Sequence, residues 1–154
     1  MQWSKVNFGK YGGLTLPQII FKDPDWFFHA CENGYFKGAL AADARELCRR
    51  ARSIKVPQQN GQGMLVEYLF HRNRGAGSVK FGTMQLIADG PGLGHLNVSH
   101  VIDFYVPRSM ARYDKTGYKN FVAALKAILW DNPSKRMNRR ACEAFFDDDN
   151  NFVL

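Results

Sequence analysis

The sequence predicts an α+β protein: an N-terminal hairpin-helix module with a basic helix, residues 1–57, then a three-stranded antiparallel sheet packed by two helices, residues 58–154. Three observations carry this expectation. A glycine turn near the N-terminus separates two extended stretches and leads into an Asp-Pro helix start. Three β-rich runs divided by glycine-bearing loops occupy the middle of the chain. An apolar stripe at helical spacing follows them.

Val6 and Phe8 alternate with polar residues up to Gly9, KYGG supplies a turn tolerant of positive φ, and Leu14 to Leu16 resume extended structure, which predicts a hairpin. Pro17 suits the first turn of a short helix. Asp23 followed by Pro24 is an N-cap and first-turn pair opening a second helix, DPDWFFHACENG, with Gly34 as its stop. Between Ala39 and Ser53, the residues Leu40, Ala44, Leu47, Cys48 and Ala51 recur at helical spacing, leaving Arg45, Arg49, Arg50 and Arg52 toward the polar side. The polar PQQNGQG, residues 57–63, reads as a linker or long loop and marks the module boundary.

Beyond it, MLVEYLFHR, SVKFGTMQLIAD and NVSHVIDFYVP read as strands of an antiparallel meander, with NRGAG and GPGLG as the loops between them. Tyr118, Phe121, Val122, Leu125, Ile128 and Leu129 then give the strongest helix pattern in the chain, a stripe that must pack on the sheet. The NPS at 132–134 is expected to start a last helix with Met137, Ala141, Ala144 and Phe145 inward and Arg136, Arg139 and Arg140 outward. No internal repeat or low-complexity tract is present.

With 45% hydrophobic and 14% aromatic residues among 154, the chain can bury one ordinary core or two small modules sharing an interface. No stretch has the roughly 18 uncharged apolar residues of a membrane span, and the first residues lack a basic start followed by an apolar run, so the expectation is a cytoplasmic protein without a membrane partner. Cys31, Cys48 and Cys142 are an odd number at wide spacings, suited neither to a disulfide framework nor to a zinc site, and are expected as buried reduced thiols.

The net charge of +7 favours a polyanionic partner, and its distribution says more than its total. Residues 1–57 carry +4, residues 58–107 are neutral with Arg72, Arg74 and Lys80 against Glu67, Asp89 and Asp103, residues 108–140 carry +7, and the remainder carries −4. The basic stretch of the second half includes Arg108, Arg112, Lys115, Lys119 and Lys126, with Asp114 and Asp131 as its acids. The positive field therefore has a source in each half.

The opening unit, FGKYGGLTLPQIIFKDPDWFF, resembles the module at the C-terminus of exodeoxyribonuclease X-like proteins. The matching positions are Phe8, Gly9, Lys10, Tyr11, Gly13, Thr15, Leu16, Asp23, Pro24, Trp26 and Phe27. The resemblance covers about residues 5–31, and the remainder resembles no family of known function. It implies an accessory part of nucleic-acid-processing proteins. It does not imply nuclease activity, since only seven residues stand before Phe8 and the exonuclease domain that normally precedes such a module is missing.

Most residues of this unit have folding duties: glycines permit the turn, Phe8 and Trp26 suit a core, and Asp23 suits a cap. Lys10 and Tyr11 at the turn tip are expected to have none, which leaves a cation for a phosphate and an aromatic for a base. Arg45, Arg49 and Arg52 at i, i+4, i+7 project together, as do Arg136, Arg139 and Arg140. Either set is a solvated helix face or a phosphate-neutralising one, a contact that weakens steeply with salt.

Catalysis has little to work with. A two-metal nuclease needs gathered carboxylates, and the only pair worth checking is Glu67 with Asp103 across the sheet, with His71 or His100 nearby. The run Asp147 to Asp149 lacks the glycine and spacing of a calcium loop and reads as a solvated tail. GPGLG lacks the lysine and hydroxyl of a P-loop, and no cysteine has a histidine at recognisable spacing. No metal and no cofactor are expected.

The function expected is therefore binding, to DNA, RNA or a nucleoprotein complex, mainly through phosphates. Lys10, Tyr11, Arg45, Arg49 and Arg52 would make one contact surface, and Arg136, Arg139 and Arg140 another. Two alternatives stay open: a phage or mobile-element inhibitor or adaptor aimed at a host nucleoprotein defence complex, and a metal-dependent nuclease at Glu67 and Asp103.

Overall fold

In the computed structural model, which describes residues 1–72, 79–110 and 115–154, the first helices begin where side chains cap them. Thr15 donates its backbone N–H and its hydroxyl to Gln18 Oε1 at 3.0 and 3.3 Å, and Pro17 sits in the first turn of α1, Leu16–Lys22. Asp23 then accepts the Trp26 N–H at 3.1 Å and opens α2, Pro24–Glu32, through Pro24. Gly34, at φ +66°, turns the chain away. The helix α3 follows at Ala39–Ala51. The expected hairpin shrinks to a bridge between Lys5 and Thr15 around the glycine turn, with Val6 N–H on the Leu14 carbonyl at 2.8 Å. Leu16 leaves extended structure because the Thr15 cap starts the helix there and buries the leucine completely.

The segment 57–63 is a tight turn rather than a linker. Gln59 and Gln62 exchange two backbone hydrogen bonds, at 3.1 and 2.8 Å, and the residues between them, Asn60 and Gly61, have φ of +52° and +74°. Asn-Gly with both central φ positive is the pairing that two-residue hairpin turns select.

The strands are β1, Ile54–Lys55; β2, Met64–Arg72; β3, Val79–Ala88; β4, Val98–Ser99; and β5, Val101–Ile102. An antiparallel sheet runs in the order β3-β2-β4, and β1 pairs with β5 in a second, two-stranded sheet. The three-stranded sheet is thus present, but β2 is central and the order is not that of a meander. The run 97–107, expected as one strand, divides at His100, where the Val101 N–H turns back onto the Ser99 hydroxyl at 3.2 Å. Each half then serves a different sheet. The remaining helices are α4, Val106–Met110; α5, Lys115–Trp130; and α6, Arg139–Asp147, followed by a 3-10 turn, Asp149–Asn151. Of the positions weighed in the sequence, Arg74, Arg112, Asp114 and the loop NRGAG lie outside the described residues.

Helix α5 lies on β3, with α4 as the second helix beside that strand, while α6 packs on α1 and α3. Phe121 and Leu125 are fully buried, and the Phe121 ring stands 5.6 Å from Phe81 of the sheet and 5.0 Å from Phe104. Each such side chain contributes about 1.5–3 kcal/mol by leaving water. The last helix starts six residues later than the NPS cue: Asn132 Oδ1 accepts the Ser134 N–H in a turn, and Asn138 Oδ1 caps α6 through the Ala141 N–H. Arg136 consequently precedes the helix, and Ala144 is exposed while Cys142, Phe145 and Phe146 are buried.

The division at residues 57 and 58 does not divide the core. Phe21 of α1 meets Phe104, Phe145 and Phe146 at centroid distances of 5.8, 5.7 and 5.7 Å, and Ile54 bridges to Phe152. One hydrophobic cluster runs from Trp3 to Phe152.

Candidate functional site

The glycine turn, α2 and the start of α4 enclose a cleft of about 590 Å³. Tyr11, expected free at the turn tip, is instead a brace: its hydroxyl donates to Asp23 Oδ2 at 2.6 Å and its ring meets Trp26 edge-on at 5.0 Å. It supports the carboxylate that caps α2. Lys10 is more available, with 62% of its side chain exposed, yet its Nζ lies 3.6 Å from the same Asp23 oxygen and 4.9 Å from the Tyr11 ring centroid. The cation and the aromatic thus belong to one network with Asp23.

Across the cleft, Arg108 is held between two carboxylates. Its Nη1 donates to Asp25 Oδ1 at 2.8 Å and its Nη2 to Glu32 Oε2 at 2.8 Å, with the arginine and Asp25 side chains only 12% and 8% exposed. Those hydrogen bonds, Glu32's first, raise the arginine pKa further, and Arg108 in turn holds the Glu32 carboxyl below the usual range. Tyr105 adds its hydroxyl to Glu32 Oε1 at 2.7 Å and packs edge-on against Phe28 at 5.0 Å. Lys10 and Arg108 thus face Asp23, Asp25 and Glu32, an arrangement one charge short of neutral on the acidic side. The excess of negative charge there opposes a phosphate. A shallower depression of about 390 Å³, lined by Phe8, Trp26 and Tyr35, shares Lys10 and Trp26 with it.

The arginines of α3 are largely committed. Arg49 Nη2 and Arg50 Nε reach Glu46 Oε1 at 2.7 and 2.8 Å. Arg50 also holds Asp149 at 2.7 Å and the Phe146 carbonyl at 3.1 Å, and lies 5.4 Å over the Phe152 ring. Arg52 Nε meets Asp103 Oδ2 at 3.2 Å, with its guanidinium 4.6 Å over the Tyr105 ring. Arg45 is exposed and has no ion pair among the described residues, and it lines a different cleft from Lys10. The surface expected from Lys10, Tyr11, Arg45, Arg49 and Arg52 therefore resolves into separate local networks. The acidic run is part of them and not a solvated tail: Asp147 accepts the Trp3 indole N–H at 2.9 Å, Asp148 caps the 3-10 turn, and Asp149 pairs with Arg50.

The second expected surface keeps its cations outward. Arg136, Arg139 and Arg140 are all exposed, and only Arg139 has an ion pair among the described residues, to Glu143 at 3.0 Å. Lys135 Nζ stands 5.8 Å over the half-buried Trp130 ring. The first turn of α6 contains no acid, so the dipole of the helix start adds to the positive potential.

Glu67 and Asp103 are not brought together. Glu67, 9% exposed, accepts from Gln85 Nε2 at 2.8 Å on one face of β2. Its neighbour Tyr68 points to the other face, where its hydroxyl donates to the Val101 carbonyl at 3.1 Å and accepts the Asp103 N–H at 3.0 Å. Asp103 spends its own carboxylate on Arg52 and the Tyr105 N–H, and burial raises its pKa against both. His71 lies against Gly82, where an added Cβ would come within 2.7 Å of Nε2. Among the described residues no three His, Cys, Asp or Glu side chains form a group able to hold a metal ion.

Two features lie outside the expectations drawn from the sequence, one of them legible there and the other not. The Glu46–Arg49–Arg50 network was readable from its i, i+3 and i, i+4 spacings. The approach of Cys31 and Cys48 Sγ atoms to 3.7 Å, both half-buried, left no trace in a spacing of 17 residues. No protein-family model, curated protein or solved structure matches the chain.

Proposed function

We propose that this chain is a non-catalytic nucleic-acid-binding protein that holds DNA or RNA by its phosphates through the basic segment 135–140. The observation that carries the proposal is the company these cations keep. Four of them fall within six residues, and Arg136 and Arg140 meet no carboxylate among the described residues. Unneutralised guanidiniums beside a helix start release counterions when they meet phosphates, which is the sequence-independent part of nucleic-acid affinity. Trp130 beneath Lys135 adds an aromatic surface of the kind on which bases stack. The resemblance of the opening segment to an accessory module of nucleic-acid-processing proteins supports the same class of partner. A cytoplasmic setting goes with this proposal, because three free thiols suit a reducing compartment. No helix among the described residues is long and apolar enough to cross a membrane.

The test is gel-shift affinity for duplex DNA and for single-stranded RNA, measured against salt. The wild type should lose affinity steeply as salt rises, and the double substitution Arg136→Glu with Arg140→Glu should flatten the log-log slope by about 2, close to one per lost phosphate contact. Arg45→Glu, in a different cleft, should change it less. An affinity indifferent to salt and to the double charge reversal sinks the proposal.

A protein partner is the second possibility, favoured by the aromatic groove at the other basic source. Tyr35 is 44% exposed beside Trp26, Phe8 and Lys10, and exposed aromatics beside a charged side chain are chemistry that protein interfaces use. Capture of a partner that survives nuclease treatment and is lost in Tyr35→Ala would favour it.

A further inference from the structure

Cys31 lies in the last turn of α2 and Cys48 in the last two turns of α3, and the packing of those helices sets their Sγ atoms 3.7 Å apart. A disulfide bond is about 2.0 Å long, so rotation of the two side chains has roughly 1.7 Å to close. Neither thiol is sealed in the core. Both line an open cleft of about 380 Å³ whose walls include Phe36, Ala44 and Arg45. The third cysteine differs on each point: Cys142 is 2% exposed, its thiol lies 3.7 Å from the Met137 carbonyl, and burial pushes its pKa up to about 12.

We infer that Cys31 and Cys48 form a reactive dithiol, a modification site at which a low-molecular-weight disulfide such as oxidised glutathione is reduced and a Cys31–Cys48 disulfide is formed. Cys48 is the attacking thiol. Its contact with the Cys31 thiol holds its pKa down, the Arg52 guanidinium one helical turn on favours the thiolate, and burial and the nearby Asp103 and Glu32 charges oppose them. The same contact raises the pKa of Cys31, which keeps its proton until the second step. Arg45, at the cleft wall, offers a cation to the carboxylates of a glutathione-like reagent.

The chemistry balances without another reactant. Cys48 releases its proton to solvent, its thiolate attacks one sulfur of the small disulfide, and the departing thiolate takes up a proton. Cys31 then attacks Sγ of Cys48 in the mixed disulfide, gives its proton to the second departing thiolate, and closes the intramolecular bond. Two protein thiols are oxidised and one small disulfide is reduced to two thiols.

The experiment treats the native full chain with oxidised glutathione and follows free thiols and intact mass. The wild type should lose two of its three titratable thiols and two hydrogen atoms, with peptide 23–37 joined to peptide 46–49 after trypsin, while Cys142 stays free. Cys31→Ser should stop at a glutathione adduct on Cys48, and Cys48→Ser should take up far less reagent. Phenylarsine oxide, which bridges two neighbouring thiols and loses its oxygen as water, gives a second readout on the unmutated protein and should protect the same two cysteines. A stable adduct on wild-type Cys48 without the cross-link, a link between two chains, or oxidation that starts only in denaturant overturns the inference.

Discussion

In α3 the guanidiniums of Arg49, Arg50 and Arg52 end on Glu46, Asp149 and Asp103, whereas those of Arg136 and Arg140 meet no carboxylate among the described residues. Both regions place arginines at neighbouring helical spacings, so pattern alone treats them alike. What separates them is where the acids fall in the fold. The acids that meet α3 come from its own preceding turn, from the end of β5 and from the chain's acidic end, two of them brought in from far along the sequence. At the start of α6 the one ion pair among the described residues is Arg139 with Glu143. A basic face in a sequence is thus a surface only after its internal partners have been subtracted.

The subtraction is most complete at Arg108, which breaks the comparison if it behaves like a surface arginine. Replacing it with methionine keeps the length of the side chain and removes the cation from between Asp25 and Glu32. Asp25, 8% exposed, then keeps a charge with no partner on that side, and stability should fall by about 3 kcal/mol, read as a lowered urea midpoint. A loss below about 1 kcal/mol, the usual worth of an exposed pair, would mean that this arginine belongs with the free ones.

A smaller effect separates the two regions by pH. Hydrogen bonds from Arg49 and then Arg50 hold the Glu46 carboxyl below the ordinary glutamate range, against the opposing effect of burial. Its folded pKa is therefore lower than its unfolded one, so its stabilisation is complete above the ordinary glutamate value and is lost as pH falls through the folded value. Denaturant midpoints measured across the acid range should fall less steeply in Glu46→Gln, which should also cost about 1 kcal/mol at neutral pH. Asp103 has the opposite sign, since burial raises its pKa and falling pH relieves that cost. An unchanged acid limb in Glu46→Gln would show that the α3 network is no tighter than a solvated face.

Local chemistry explains which parts of this molecule were legible in the sequence. The Asp23-Pro24 start and the Phe121, Leu125 stripe were readable because caps and helical periods act within one or two turns. The sheet order was not, because it depends on where β4 and β5 go after the break at His100, and β5 finds β1 from the other half of the chain. The Asn60-Gly61 turn is legible in its own residue pair, although the polar composition around it points to a linker. Tyr11 departs from its expected freedom for a different reason. A turn tip is exposed only if nothing packs beneath it, and Trp26 and Asp23 from α2 do. Arg136 and Arg140 stay exposed and without an ion pair among the described residues because few acids fall near them, which a +7 stretch already favours.

The smallest predicted effect on folding is the most informative about function. Arg136 and Arg140 make no ion pair among the described residues, and both are exposed, so reversing both charges removes nothing that the fold uses. Glutamate at position 140 also lies in the first turn of α6, where the helix dipole favours an acid over a base. The two terms leave a net change within about 0.5 kcal/mol, as for ordinary surface positions, and a slight gain is as acceptable as a slight loss. Thermal midpoints of the single and double variants test this directly. A loss well beyond that range would mean that these arginines hold the α5–α6 connection in place, and reduced nucleic-acid affinity in the same variants would then report damaged structure. If the midpoints hold while the salt slope flattens, the fold has no use for either arginine, Arg140 stands against the preference of its own helix, and a bound polyanion supplies the reason.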